Sequence, residues 1–151
     1  MKAIFAAGCF WGVQSEFDKV KGVKKTTVGY IGGTKTKPSY EQVCTSLTGH
    51  AEAIEIEFDS KVVSYDKLLD IFFKIHNPTT KNRQGFDIGK QYRSAIFYHN
   101  EEQKVQAEKS IEKHQKDFDK PIVTKIAKAT TFYPAEEYHQ KYNEKHSRTC
   151  N

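Results

Sequence analysis

The segment 53–58 alternates without exception, with Ile54, Ile56 and Phe58 at even positions and Glu55 and Glu57 between them. Successive side chains of an extended strand point to opposite faces, so this period of two reads as a half-buried β-strand. Extending the same parity one step back places Glu52 on the apolar side. A carboxyl there loses hydration, and its pKa rises from the ordinary value of ~4.3.

The flanking segments supply the rest of a layered fold. Residues 2–7 form a short apolar strand closed by Gly8, and 10–20 carry Val13, Phe17 and Val20 at helical spacing, giving strand, sharp turn, helix. Residues 23–31, rich in β-branched side chains, read as a strand that ends at Gly32-Gly33, with a loop through Pro38. Ser64 is an N-cap for a helix to about His76 that turns Leu68, Leu69, Phe72 and Ile75 inward and stops before Pro78. A polar loop over 79–91 leads to a strand over 93–99. Asn100 caps the next helix, with Glu101 and Glu102 in its positive first turn and Ala107, Ile111 and Phe118 on one face. After Pro121, a strand is expected over 122–126, and Pro134 opens a last short helix holding Tyr138 and Tyr142. Helices and strands that intermix without strict alternation predict the α+β class: a two-layer sandwich, with helices packed on a mixed β-sheet. The expected organisation is a single domain over 1–151 with a mobile C-terminal tail.

Composition narrows the function classes. The longest weakly polar run, 4–13, is far shorter than the ~20 apolar residues of a membrane span. The net charge of +5 raises nucleic acid as a ligand, but most lysines alternate with acids and the basic run 19–25 has no interleaved aromatics. No nucleic-acid or membrane partner is therefore expected. Three cysteines cannot pair off completely and are too few for a disulfide scaffold, which favours a reducing, cytoplasmic compartment. The six histidines lack a ligand pattern with cysteine or carboxylate, so no metal is expected.

Cys9 stands where a strand ends and a helix begins. Unpaired amides and the positive end of the helix dipole favour its thiolate there, so the position suits a reactive cysteine. The pentapeptide Gly8-Cys9-Phe10-Trp11-Gly12 resembles the signature of the peptide methionine sulfoxide reductase A family. Further segments resemble family motifs in family order: Gly29 to Gly33, Tyr40 to Cys44, Thr48 to Glu52, Asp87 to Ser94 and Phe132 to His139. Departures are few: Ile31 stands for the usual Ala, Ser46 for Gly, Asn77 for Asp and Phe86 for Asn.

The resemblance implies reduction of methionine-S-sulfoxide, protein-bound or free, to methionine, the other epimer belonging to a separate enzyme type. It implies Cys9 as the nucleophile that becomes a sulfenic acid, Glu52 as the acid, Tyr40 and Tyr92 as hydroxyls holding the sulfoxide oxygen, and Asp87 as a supporting carboxylate. Phe10 and Trp11 would form an apolar cage for the methionine methyl group. Cys150 would resolve the sulfenic acid to a disulfide that thioredoxin reduces. Cys44, expected to be a buried hydrophobe, is the second candidate for that step. No cofactor is required. A basic nucleic-acid-binding module and a thiol peroxidase working through Cys9 are the readings from other classes.

Overall fold

The computed structural model of the chain describes residues 1–142. Six strands form one sheet in the order β7-β6-β1-β3-β2-β8, built from β1 (Lys2–Ala7), β2 (Val23–Ile31), β3 (Ala51–Phe58), β6 (Ser94–Tyr98), β7 (Lys125–Lys128) and β8 (Tyr133–Pro134). All neighbours are antiparallel except β6 and β7, which are parallel, so the sheet is mixed. The helices are α1 (Phe10–Asp18), the short α2 (Tyr40–Cys44), α3 (Tyr65–Lys74) and α4 (Glu101–Gln115). Among the described residues, no helix is long and apolar enough to cross a membrane.

The expected α+β sandwich is the fold observed. Strand parity decides which side chains meet the helices. Phe5, Ile54, Ile56, Phe58 and Ile96 join Phe17, Leu68 and Phe72 in the main core. The intervening Ile4, Ala6, Ala53, Ala95 and Phe97 form a smaller core on the other face, beneath Phe132. β3 lies between β1 and β2, and it is therefore more buried than its alternation predicts: only Glu55 and Glu57 are partly exposed, and residues 51–54 are buried on both faces. Ser64 and Asn100 cap their helices as expected, each accepting from the amide three residues on.

Three expectations about the local structure need correction. The loop over 79–91 contains a hairpin of β4 (Arg83–Gln84) and β5 (Asp87–Ile88), followed by a 3-10 turn, Lys90–Tyr92. The Gln84 side chain anchors it by accepting from the Asn77 amide at 2.9 Å and donating to the Asn77 carbonyl. The strand expected over 122–126 instead begins at Lys125. The Ile122 amide is taken by Gln115 Oε1 and the Val123 amide by the Pro78 carbonyl, which leaves neither for a sheet ladder. The helix expected from Pro134 is absent: Pro134 lies in the edge strand β8, and only Glu137–His139 form a 3-10 turn. Proline has no amide to give a sheet and is tolerated at an edge. Gly29 permits this pairing, because a Cβ there would collide with the Tyr133 carbonyl.

Candidate active site

Cys9 occupies the N-cap position of α1, one residue after Gly8, whose φ of +96 turns the chain sharply from strand to helix. A side chain at Gly8 would also meet Gln84 Cγ at 2.7 Å, so glycine is required both for the turn and for the approach of the β4–β5 hairpin. Cys9 is disulfide-bonded, so the thiolate chemistry below belongs to its reduced form. The next amide, that of Phe10, is not left to the cysteine: it donates to Glu52 Oε1 at 3.2 Å. Sequence reasoning placed free amides around Cys9 and missed this bond.

Glu52 is 1% exposed, on the face of β3 that parity assigned to it. Burial pushes its carboxyl up to about 8, the Phe10 amide working against the rise and the charge of Asp87 adding to it. Its other oxygen, Oε2, is buried with no hydrogen-bond partner among the described residues. A protonated carboxyl with one oxygen anchored and one unclaimed can hold a proton for a group that enters the site.

Tyr40, Tyr92 and Asp87 gather around this carboxyl. Burial raises both phenols above their ordinary range, and in each the charge of Glu52 is the next contribution. Both hydroxyls therefore stay protonated as donors. The Tyr40 hydroxyl lies near the Cys44 thiol and the Tyr92 hydroxyl, whose negative charges, were they ionised, would add to its rise. Asp87, on β5, is raised by burial. Cys44 corrects an expectation: it is an exposed free thiol at the end of α2 rather than a buried hydrophobe. In α2, Val43 takes the inward position, and burial around the Cys44 sulfur still raises its thiol. Cys150 lies outside the described residues.

Phe10 is 1% exposed, packed against Tyr30, Tyr40 and His139, whereas Trp11 is partly exposed. The Trp11 ring stacks on Tyr142 at 3.7 Å between centroids, and its Nε1 donates to His139 Nδ1 at 3.1 Å. That bond fixes the proton on His139 Nε2, which is buried without a partner among the described residues. Sequence reasoning gave no role to His139, Tyr30 or Glu136. The signal for Tyr30 was present, since parity in β2 aligns it with Val28 and Thr26, all three buried. Glu136 accepts from the Tyr30 hydroxyl at 3.1 Å and from the Tyr40 amide at 3.2 Å, and so fastens the C-terminal segment to both tyrosines.

A family model described as peptide methionine sulfoxide reductase matches residues 1–151. The peptide methionine sulfoxide reductase MsrA of Methanosarcina acetivorans is 64% identical over 146 residues, covering 95% of this chain and 78% of the relative. Among solved structures, Mxr1 from Saccharomyces cerevisiae in reduced form superposes with a TM-score of 0.95 at 36% identity, covering 100% of this chain and 88% of the other. The same yeast protein in complex with Trx2 superposes with a TM-score of 0.68 at 26% identity, covering 94% of this chain and 84% of the other.

Proposed function

From the premise that the chain belongs to the peptide methionine sulfoxide reductase family, and is an enzyme that reduces methionine sulfoxide, we propose that Cys9, Glu52, Tyr40 and Tyr92 carry the reaction on the S epimer. The reduced Cys9 thiolate attacks the sulfoxide sulfur. Glu52 delivers the proton, and the two phenols donate to the sulfoxide oxygen as charge builds on it. The oxygen passes to Cys9, which becomes a sulfenic acid, and methionine leaves. The cysteine is thereby oxidised by the two electrons that the substrate sulfur gains. Asp87 holds the Glu52 proton by its charge, and Phe10 and Trp11 receive the methyl group.

The second half follows from the same chemistry. The Cys150 thiol condenses with the sulfenic acid, water leaves, and a disulfide forms that a thioredoxin dithiol reduces by exchange. The complex of the related Mxr1 with Trx2 supports a thioredoxin as reductant. The substrate in this reading is methionine-S-sulfoxide, protein-bound or free.

The observation that carries the proposal is Glu52: a buried carboxyl one hydrogen bond away from the residue after Cys9, with a pKa near neutrality and an unclaimed oxygen. Cys9→Ser is the direct test, because a serine hydroxyl is scarcely ionised at neutral pH. It should abolish turnover of the S epimer with the fold intact by circular dichroism. Turnover of the S epimer above background in this variant, or equal wild-type rates on both epimers, overturns the assignment.

A further inference from the structure

Burial along the segment 83–92 runs against hydrophobicity. Phe86 is 91% exposed and Ile88 is exposed too, whereas the buried side chains of the segment are Gln84 and Gln91. This segment nevertheless carries Asp87 and Tyr92, two of the groups gathered around Glu52. Its own apolar side chains do not hold it in place, and the two buried amides do.

At one end, Gln84 binds the turn that follows α3. Its Oε1 accepts from the Asn77 amide at 2.9 Å, and its Nε2 donates to the Asn77 carbonyl and, at 3.4 Å, to the Thr80 hydroxyl. Gln84 faces Asp87 across the β4–β5 hairpin and packs on Gly8, the residue before Cys9. At the other end, Gln91 binds the end of α2. Its Oε1 accepts from the Ser46 hydroxyl, and its Nε2 donates to the Cys44 carbonyl at 3.3 Å. α2 begins with Tyr40, and Gln91 precedes Tyr92, so one amide joins the two elements that carry the phenols. Ser46 makes its bond at a φ of +64, a left-handed conformation that costs a residue with a side chain and persists where its surroundings hold it.

A buried amide satisfied at both its oxygen and its nitrogen is directional. It fixes position and rotation together, where an apolar contact tolerates sliding, and removing it leaves backbone groups unpaired. Such precision matters near a reacting centre, because a misplacement of about 1 Å can cost ~10²-fold in rate.

We propose that Gln84 and Gln91 are positioning residues for the reduction: their amides clamp the two ends of the 84–92 segment, and so set where Asp87 and the Tyr92 hydroxyl stand beside Glu52. The inference rests on the active-site assignment above and adds the residues that hold two of its groups in place.

The test is a pair of double-variant cycles, read as single-turnover reduction of a methionine-S-sulfoxide peptide by the reduced, full-length enzyme. Gln84→Met and Gln91→Met keep the side-chain volume and remove the amide bonds. Gln91→Met should slow the wild-type enzyme roughly tenfold but slow Tyr92→Phe by less than about twofold more, because the group it positions is already gone. Gln84→Met should likewise slow the wild type roughly tenfold and leave Asp87→Asn within about twofold. It should also move the alkaline limb of the rate below the wild-type position near 8, since the charge of Asp87 adds to the rise of Glu52, and should not move that limb further in Asp87→Asn. The other groups that feel the charge of Glu52, namely Tyr30, Tyr40, Cys44 and Tyr92, are all raised and uncharged near neutral pH. Equal slowing in both backgrounds of a cycle, or no slowing when an amide is lost, overturns the positioning role and leaves the glutamines as packing. Where a Met variant fails to fold, Gln84→Asn or Gln91→Asn takes its place, keeping the amide but shortening its reach, and the same criterion decides. Wild-type rates in Tyr92→Phe and Asp87→Asn by themselves would instead overturn the active-site assignment, and the positioning role with it.

Discussion

Glu52 and Glu136 both lie beside Tyr30 and Tyr40, yet they end with opposite proton affinities. Glu52, at the start of β3, has one donor, the Phe10 amide, and is otherwise buried; its carboxyl rises to about 8. Glu136, in the C-terminal segment, is partly exposed and accepts from the Tyr30 hydroxyl, the Tyr40 amide and the Tyr138 hydroxyl. Burial raises Glu136 too, but these donors outweigh it and hold the carboxyl below its ordinary value. Depth of burial and the number of donors together, more than residue type, decide which carboxyl carries a proton. One is fitted to give a proton up, the other to stay ionised as a strut.

The largest effect should come from removing the carboxyl proposed to deliver the proton. Glu52→Gln keeps size and hydrogen bonding but cannot release a proton. General acid help is typically worth ~10² to 10⁴ in rate, so single-turnover reduction should slow by that order while substrate still binds. The wild-type rate should also fall as pH rises through about 8, where Glu52 loses its proton, and that limb should be missing in the variant. Single-turnover rates within about threefold of wild type would transfer the acid role to a tyrosine or water.

Tyr40 belongs to both regions, its amide on Glu136 and its hydroxyl beside Glu52, Tyr92 and Cys44. Tyr40→Phe separates the two, because it removes the hydroxyl and keeps the amide. The chemical step should slow roughly 10- to 100-fold, less than the ~10² to 10³ of losing an oxyanion-hole donor outright, since Tyr92 remains. Thermal stability should be nearly unchanged. A variant that loses stability but not rate would make the hydroxyl a packing element.

Much of the Glu52 region was legible in the sequence, and little of the Glu136 region was. Parity along one strand is a local signal, and it placed Glu52 on the helix-covered face; the turn at Gly8 was equally local. Tyr40, Tyr92 and Asp87 were legible only through resemblance to a family, since nothing in their spacing brings them to one carboxyl. Glu136 depends on β8 pairing with Gly29 and Tyr30 across more than a hundred residues, and Pro134 read as a helix start because nothing local reveals an edge strand. Cys44 was misjudged because α2 is five residues long, too short for periodicity to tell its inner face from its outer.

The smallest expected effect tests the strut. Glu136→Gln preserves shape but turns an acceptor-only group into one whose amide faces donors, so one or more of the Tyr30, Tyr40 and Tyr138 bonds is lost. Hydrogen bonds to a charged group contribute about 1.5–3 kcal/mol, and partial exposure with retained amide bonds reduces the loss to about 1–2 kcal/mol at neutral pH. For a chain of this size that lowers Tm by about 2–4 °C per kcal/mol. The sign with pH follows from the lowered carboxyl: its stabilisation is complete above the ordinary value of 4.5 and is lost as pH falls through the depressed value. The Tm gap between wild type and Glu136→Gln should therefore be widest at neutral pH and close in acid. Glu52→Gln should behave in the opposite sense. A buried acid with a raised pKa stabilises below its unfolded value and loses that contribution as pH climbs through about 8, so the variant should gain on wild type toward alkaline pH. Parallel Tm profiles for the two variants across this range would mean that donors and burial do not divide the carboxyls as described.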